Sequence, residues 1–310
     1  MFSVIFPGQG SQKVGMGSDL YNNYSYIKHL FEQADDNLGF KLSKIILEGS
    51  KEDLDLTEYT QPAIFLISYC IFETIKKETN LDLSKAKYFA GHSLGEYSAL
   101  ASSGSLQFDQ AIKLLNKRGK AMQLAVPKGK GGMVAVLGAE LGEIYNLLKE
   151  NNNKYTCYVA NDNSVGQIVL SGQNEDLDLM TEDLKKKSIK NIKLPVSAPF
   201  HCPLMKKATE IMKEEINNTQ FNVPNNTIIS NVTGEEVLDI NNIKELLIKQ
   251  IENPVRWRES VLYMNKNSVS KFVEMGPGKV LSGLIKRIDR NLTALSINTL
   301  EEAKNLNLND

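Results

Sequence analysis

Residues 91–95 read Gly-His-Ser-Leu-Gly, the GxSxG spacing of a nucleophile elbow. In that arrangement a strand turns sharply into a helix, glycines remove Cβ clashes, and the serine hydroxyl stands clear of the backbone. A short apolar run at 87–90 precedes the motif and a helical pattern, EYSALASSG, follows it. Ser93 then lies at a helix N-terminus, where free N–H groups and the positive dipole end favour a developing oxyanion. The competing reading is a glycine-bounded turn with a capping serine.

A nucleophilic serine needs a base, and histidine is the usual one. The chain has three. His92 adjoins Ser93 and should point away from its hydroxyl, and His29 lies between Lys28 and Glu32 on a helical pattern, where a solvated or packing role fits better. His201, in SAPFHCPLM, remains by elimination. Arg118 is the most informative charge. On the helix at 109–123 it joins Ala111, Leu114, Leu115 and Met122 in the apolar stripe, while Lys113, Lys117 and Lys120 occupy another face. A guanidinium there must be buried beside an anion. An internal ion pair, a snorkelling side chain and a bidentate clamp on a substrate carboxylate are all open at this point. The glycine stretches PGQGSQ and GPGKVLSG match neither GxxxxGK[ST] nor GxGxxG, which disfavours nucleotide binding. A glycine turn after the first strand still allows Gln9 to offer a backbone N–H beside that of Leu94, as an oxyanion hole requires.

The elements that must hold these residues follow an α/β pattern. The apolar run at 2–6 reads as a buried strand, the segments at 24–39 and 62–79 as helices, and 227–231 and 271–274 as further strands. Between them, 132–138, 140–150, 154–161, 167–172, 174–187 and 189–195 read in turn as strand, helix, strand, strand, helix, strand. This βαββαβ order is a complete ferredoxin-like fold and predicts an inserted subdomain at 129–196, with the main fold at 1–128 and 197–310 and the site where the two meet. The tail after Thr299 is expected to fray.

The 310 residues are ample for a core without disulfides or metal. With 36 basic against 37 acidic residues there is no global attraction to nucleic acid or to an anionic membrane. Three scattered cysteines fit reduced thiols, no zinc spacing can be assembled, and no apolar run spans a membrane. With no signal-peptide pattern at the start, the expectation is a cytoplasmic protein without a metal site.

Eight segments together carry a family resemblance: FPGQGSQ (6–12), TQPAIF (60–65), GHSLGEYSAL (91–100), RG (118–119), VANDNSVGQIVLSG (159–172), FHCPLM (200–205), NPVRW (253–257) and EMGPGKVLSGLIKR (274–287). In these the chain resembles the malonyl-CoA:acyl carrier protein transacylases of fatty acid synthesis and the related acyltransferase domains of polyketide synthases. The resemblance implies an α/β-hydrolase-like core carrying the ferredoxin-like subdomain. It puts the nucleophile on Ser93, the base on His201, the oxyanion hole on Gln9 and Leu94, the malonyl carboxylate on Arg118, and a histidine-orienting oxygen at Gln250. It also implies that Phe200 crowds an α-methyl group. Malonyl-CoA and holo acyl carrier protein are the expected substrates of a ping-pong transfer through a malonyl-serine, by a monomer without cofactor.

An acidic carrier protein would need a basic patch. Lys185, Lys186, Lys187, Lys190 and Lys193 form one candidate, and Lys206, Lys207, Lys286 and Arg287 another; each run read singly is as well explained by a solvated face. The rival readings are a serine thioesterase or hydrolase, which shares GxSxG, and a non-catalytic carrier-protein binder.

Overall fold

The computed structural model describes residues 1–196 and 198–306. Its strands are β1 (Phe2–Phe6), β2 (Tyr88–Gly91), β3 (Gly131–Leu137), β4 (Cys157–Ser164), β5 (Gln167–Gln173), β6 (Lys190–Lys193), β7 (Thr227–Ile229), β8 (Glu236–Val237), β9 (Lys271–Met275) and β10 (Thr293–Ile297). Six form one sheet in the order β10-β9-β1-β2-β7-β8, parallel throughout except for β7 against β8. The protein is of the α/β class.

The main sheet is buried on both faces, as parallel sheets are. Along β1, Val4 and Phe6 join a core that includes the helix Thr57–Glu78, whereas Ile5 joins a second core with Trp257 and Leu281. Alternate side chains of one strand thus anchor opposite layers. The helix Thr57–Glu78 starts five residues before the expected 62, with Pro62 inside it. Proline leaves the carbonyl four residues back without its helical donor. Here Asn116 Nδ2 donates to the Glu58 carbonyl at 2.9 Å, so a neighbouring helix makes good the missing bond.

Residues 131–193 build a second sheet, order β4-β5-β3-β6, in which every pairing is antiparallel. The third strand of this stretch, β5, lies between the first two, which is the split expected of a βαββαβ unit. It has a core of its own around Val134, Val136, Ile144, Leu170 and Met180. At its edge, β6 exposes Lys190 and Lys193, charges that discourage pairing with another strand.

Further stretches differ from the sequence reading. Strands β8 and β10 lie at the sheet's two edges; β8 has only two residues, and the buried positions of β10, Ala294 and Ile297, do not alternate, so periodicity did not separate them from loops. The tail does not fray directly after Thr299: Thr299 and Glu302 form a capping box that starts a helix at Leu300–Lys304, and Ala303 is buried. Ser197, at the expected domain boundary, and the end of the expected frayed tail, 307–310, lie outside the described residues. No helix among the described residues is long and apolar enough to cross a membrane.

Candidate active site

Ser93 lies in the turn between β2, which ends at Gly91, and the helix Gly95–Ser102. The turn between them closes only because two residues lack side chains. A Cβ on Gly91 would lie 2.0 Å from the Gly95 carbonyl oxygen, and one on Gly95 would lie 2.3 Å from that of Phe6. Ser93 itself has φ 55°, left-handed backbone that a non-glycine residue adopts at a cost. Asn231 straps the turn, its Oδ1 accepting from the Ser93 N–H at 2.7 Å and its Nδ2 donating to the Gly91 carbonyl at 2.7 Å. His201 shares the left-handed conformation, with φ 57°. Two of the four described non-glycine residues with such backbone, the others being Ser188 and Ser268, are thus the pair singled out for chemistry.

The two side chains meet. Ser93 Oγ lies 2.8 Å from His201 Nε2, and His201 Nδ1 lies 2.7 Å from the main-chain carbonyl oxygen of Gln250. A carbonyl only accepts, so Nδ1 carries the ring proton and Nε2 is left as the acceptor for the serine hydroxyl. Burial, followed by the positive charge of Arg118, lowers the His201 pKa to about 3. The imidazole is therefore neutral, and its Nδ1 is held by a main-chain carbonyl where a carboxylate could have stood.

Arg118 is buried beside the same hydroxyl. Its Nη2 donates to Ser93 Oγ at 3.2 Å and to Gln250 Oε1 at 2.9 Å, and its Nη1 donates to Gln61 Oε1 at 2.7 Å. The guanidinium carbon lies 5.6 Å from the centre of the Tyr97 ring. Among the described residues the buried Nε has no hydrogen-bond partner. Among the described residues no carboxylate forms an ion pair with Arg118, which removes the internal ion pair from the readings left open by the sequence. The helix carrying Arg118 reaches this depth because residue 119 is glycine: a Cβ there would sit 2.5 Å from the Thr57 carbonyl oxygen.

A cavity of about 310 Å³ opens over these groups. Ser93, Leu94, Arg118 and His201 line it from the main sheet's side, and Met133 and Leu194 from the second sheet's side. Gln9, on the loop after β1, and Phe200 also line it. Ser11 Oγ braces that loop through the Gly8 carbonyl at 2.8 Å. Leu94 is the N-cap of the elbow helix. Gln250 is fully buried behind His201.

The remaining histidines and Cys202 are otherwise engaged. His92 turns away from Ser93 to Asn163 Oδ1 at 2.8 Å, and His29 lies on the surface 3.8 Å from Glu32. The Cys202 thiol is within 3.1 Å of the Pro199 carbonyl, and burial pushes its pKa up to about 12. That leaves it a poor nucleophile. Sequence reasoning missed Gln61, Glu96, Asn163 and Asn231. The first three lie within motifs quoted above, but only their contacts give them roles, and Asn231 had no local signal at all.

The sequence from 3 to 300 matches the acyl transferase domain model. The chain belongs to the acyl transferase family. It is 41% identical over 303 residues to a malonyl CoA-acyl carrier protein transacylase of Bacillus subtilis, covering 96% of this chain and 94% of that one. The structure of an acyl-carrier-protein-S-malonyltransferase from Bartonella henselae superposes with a TM-score of 0.95 at 38% identity, over 98% of this chain and 97% of that one. A malonyl-transacylase solved in complex with its type II PKS acyl-carrier protein is 36% identical, with a TM-score of 0.93 and 97% of each chain covered. This acyl transferase therefore matches its relatives over nearly their whole length, and the cavity over Ser93 lies within the matched region.

Proposed function

We propose that this acyltransferase moves the malonyl group of malonyl-CoA to the phosphopantetheine thiol of acyl carrier protein, with Ser93 as nucleophile and His201 as base. The observation that carries the reading is a buried arginine that forms no ion pair with a carboxylate among the described residues and whose Nη2 lies 3.2 Å from the hydroxyl that would be acylated. Such a group discriminates among acyl chains by charge, because an uncharged acyl group leaves it without an anion.

The steps follow from the hydrogen bonds. Ser93 Oγ gives its proton to His201 Nε2 as it attacks the thioester carbonyl, and Arg118 Nη2 steadies the negative charge growing on Oγ. The tetrahedral oxyanion is assigned to the backbone N–H groups of Gln9 and Leu94. The imidazolium then returns the proton to the departing CoA sulfur, leaving a malonyl ester on Ser93. The carrier thiol loses its proton to Nε2, attacks the ester, and Ser93 Oγ recovers that proton on leaving. The Gln250 carbonyl holds the ring throughout. Protein side chains and backbone suffice for each transfer, and we assign no cofactor.

Arg118 receives the malonyl carboxylate in this scheme, and Phe200 stands where an α-methyl substituent would crowd it. We take 129–196 as an inserted subdomain closing one side of the cavity, and the completeness of the site within one chain supports a monomeric enzyme. Of the two lysine clusters, Lys186 and Lys193 already face Asp183 and Asp178. Lys206, Lys207, Lys286 and Arg287 are exposed, and we favour these residues for carrier docking.

Incubation with radiolabelled malonyl-CoA, with and without carrier protein, tests the assignment. Label should appear on Ser93 and pass to the carrier, and Ser93→Ala should abolish labelling. Release of free malonate as the main product, or labelling that survives the substitution, would overturn it.

A further inference from the structure

Glu96 is the second residue of the elbow helix, and its side chain is 2% exposed. A carboxylate taken so far from water needs compensating partners. Among the described residues no cation forms an ion pair with it. Its Oε2 accepts from the Asn231 backbone N–H at 3.1 Å and from Gln250 Nε2 at 2.7 Å. The other end of the same amide, Gln250 Oε1, accepts from Arg118 Nη2 at 2.9 Å. Glu96 and Arg118 are thus joined through one glutamine side chain.

The amide can satisfy both neighbours in only one orientation. An ionised carboxylate only accepts and a guanidinium only donates, so the NH₂ must face Glu96 and the oxygen must face Arg118. Turned over, the amide would set its NH₂ against the guanidinium and its oxygen against the carboxylate. Gln250 Nε2 also reaches the Ser93 carbonyl at 3.0 Å and Asn231 Oδ1 at 3.3 Å, but its contact with Glu96 is the shortest and the only charged one.

We infer that Glu96 is a positioning residue for acyl-group selection: by accepting from Gln250 Nε2 it holds the Gln250 oxygen against Arg118 and so fixes the guanidinium where a substrate carboxylate is received. Glu96 touches neither the hydroxyl nor the imidazole, and it acts through Gln250. The inference rests on the reading that Arg118 binds the malonyl carboxylate. Burial raises the Glu96 pKa to about 7, so the test belongs at pH 8, where the group is ionised.

Two conservative variants separate placement of the acceptor from its charge. Glu96→Gln keeps an acceptor oxygen at the same reach and discards the charge, whereas Glu96→Asp keeps the charge and withdraws the oxygen by one methylene. The readout is kcat/KM for malonyl-CoA divided by that for acetyl-CoA, with thermal melts to verify folding. Glu96→Gln should hold the ratio within about threefold. Glu96→Asp should lower it by up to roughly tenfold, the worth of one hydrogen bond, chiefly through KM for malonyl-CoA.

The reverse order would show that charge and not placement matters, and would overturn the inference. So would a ratio unchanged in Glu96→Asp, or an equal fall for both acyl groups. Arg118→Ala run alongside separates the failures. If it lowers the ratio while Glu96→Asp does not, only the role of Glu96 falls; if it leaves the ratio unchanged, the carboxylate reading falls and takes this inference with it.

Discussion

Replacing Arg118 with alanine should cost malonyl transfer far more than acetyl transfer, and the structure sets the size of the difference. Arg118 is 1% exposed, so a carboxylate meeting its guanidinium leaves water almost completely. Removing one partner of such a buried pair costs about 3–5 kcal/mol, or between about 10²-fold and about 4 × 10³-fold in relative kcat/KM. The substitution also strips donors from Gln61, Gln250 and Ser93 Oγ. Those losses fall on both acyl groups, because none of the three contacts involves the acyl carboxylate, and they cancel in the malonyl-to-acetyl ratio. The assay is transfer of labelled malonyl or acetyl groups to carrier protein at several concentrations of each thioester. A ratio that stays within a few fold of wild type would refute the carboxylate role, whatever happened to the absolute rates.

The His201 pKa, lowered to about 3, ties stability to pH. With the folded value below the unfolded value near 6.5, the unfolded chain takes up the proton first; stability is whole above about pH 6.5 and is lost as pH falls toward 3. At pH 5 the loss should be about 2 kcal/mol, read as the difference in urea midpoints between wild type and His201→Gln at pH 7 and pH 5; parallel pH dependence in the two proteins would disprove it. Gly119→Ala places a Cβ 2.5 Å from the Thr57 carbonyl oxygen, so it should destabilise by roughly 1–3 kcal/mol and raise KM for malonyl-CoA through a displaced Arg118. Unaltered denaturation would count against that packing argument. Charge reversal at Lys206, Lys207 and Lys286 should raise KM for carrier protein and spare that for malonyl-CoA; equal effects on both would remove the docking assignment.

What could be read beforehand divides along a physical line. Ser93 and Arg118 announced themselves because local patterns constrain them: a strand-glycine-serine-glycine-helix sequence in one case, a charge within an apolar helical stripe in the other. The βαββαβ order at 131–193 was legible for the same reason, since each element carries its own period. Glu96, Gln61 and Asn231 were not. A buried polar side chain is tolerable only through its partners, and those lie 154, 57 and 138 residues away in sequence, at Gln250, Arg118 and Ser93. Nothing local marks such a contact. Gln250 shows the limit most clearly, because its backbone carbonyl, which any residue type would supply, is the atom that orients His201.

That carbonyl also bears on which nucleophile can accept the acyl group. A carboxylate behind the imidazole would stabilise the imidazolium and strengthen the base. A neutral carbonyl beside a buried guanidinium does the opposite, and His201 is correspondingly a weak base. Ser93 escapes this handicap, since Arg118 Nη2 donates to its oxygen and favours the alkoxide. Once the serine is acylated and the guanidinium is engaged by the malonyl carboxylate, the incoming nucleophile has no such help. A thiol, with a pKa of about 8.5, surrenders its proton to a weak base far more readily than water at about 15.7. The pairing of histidine with a main-chain carbonyl, which would slow a hydrolase, therefore favours transfer to the carrier thiol over loss of malonate to solvent.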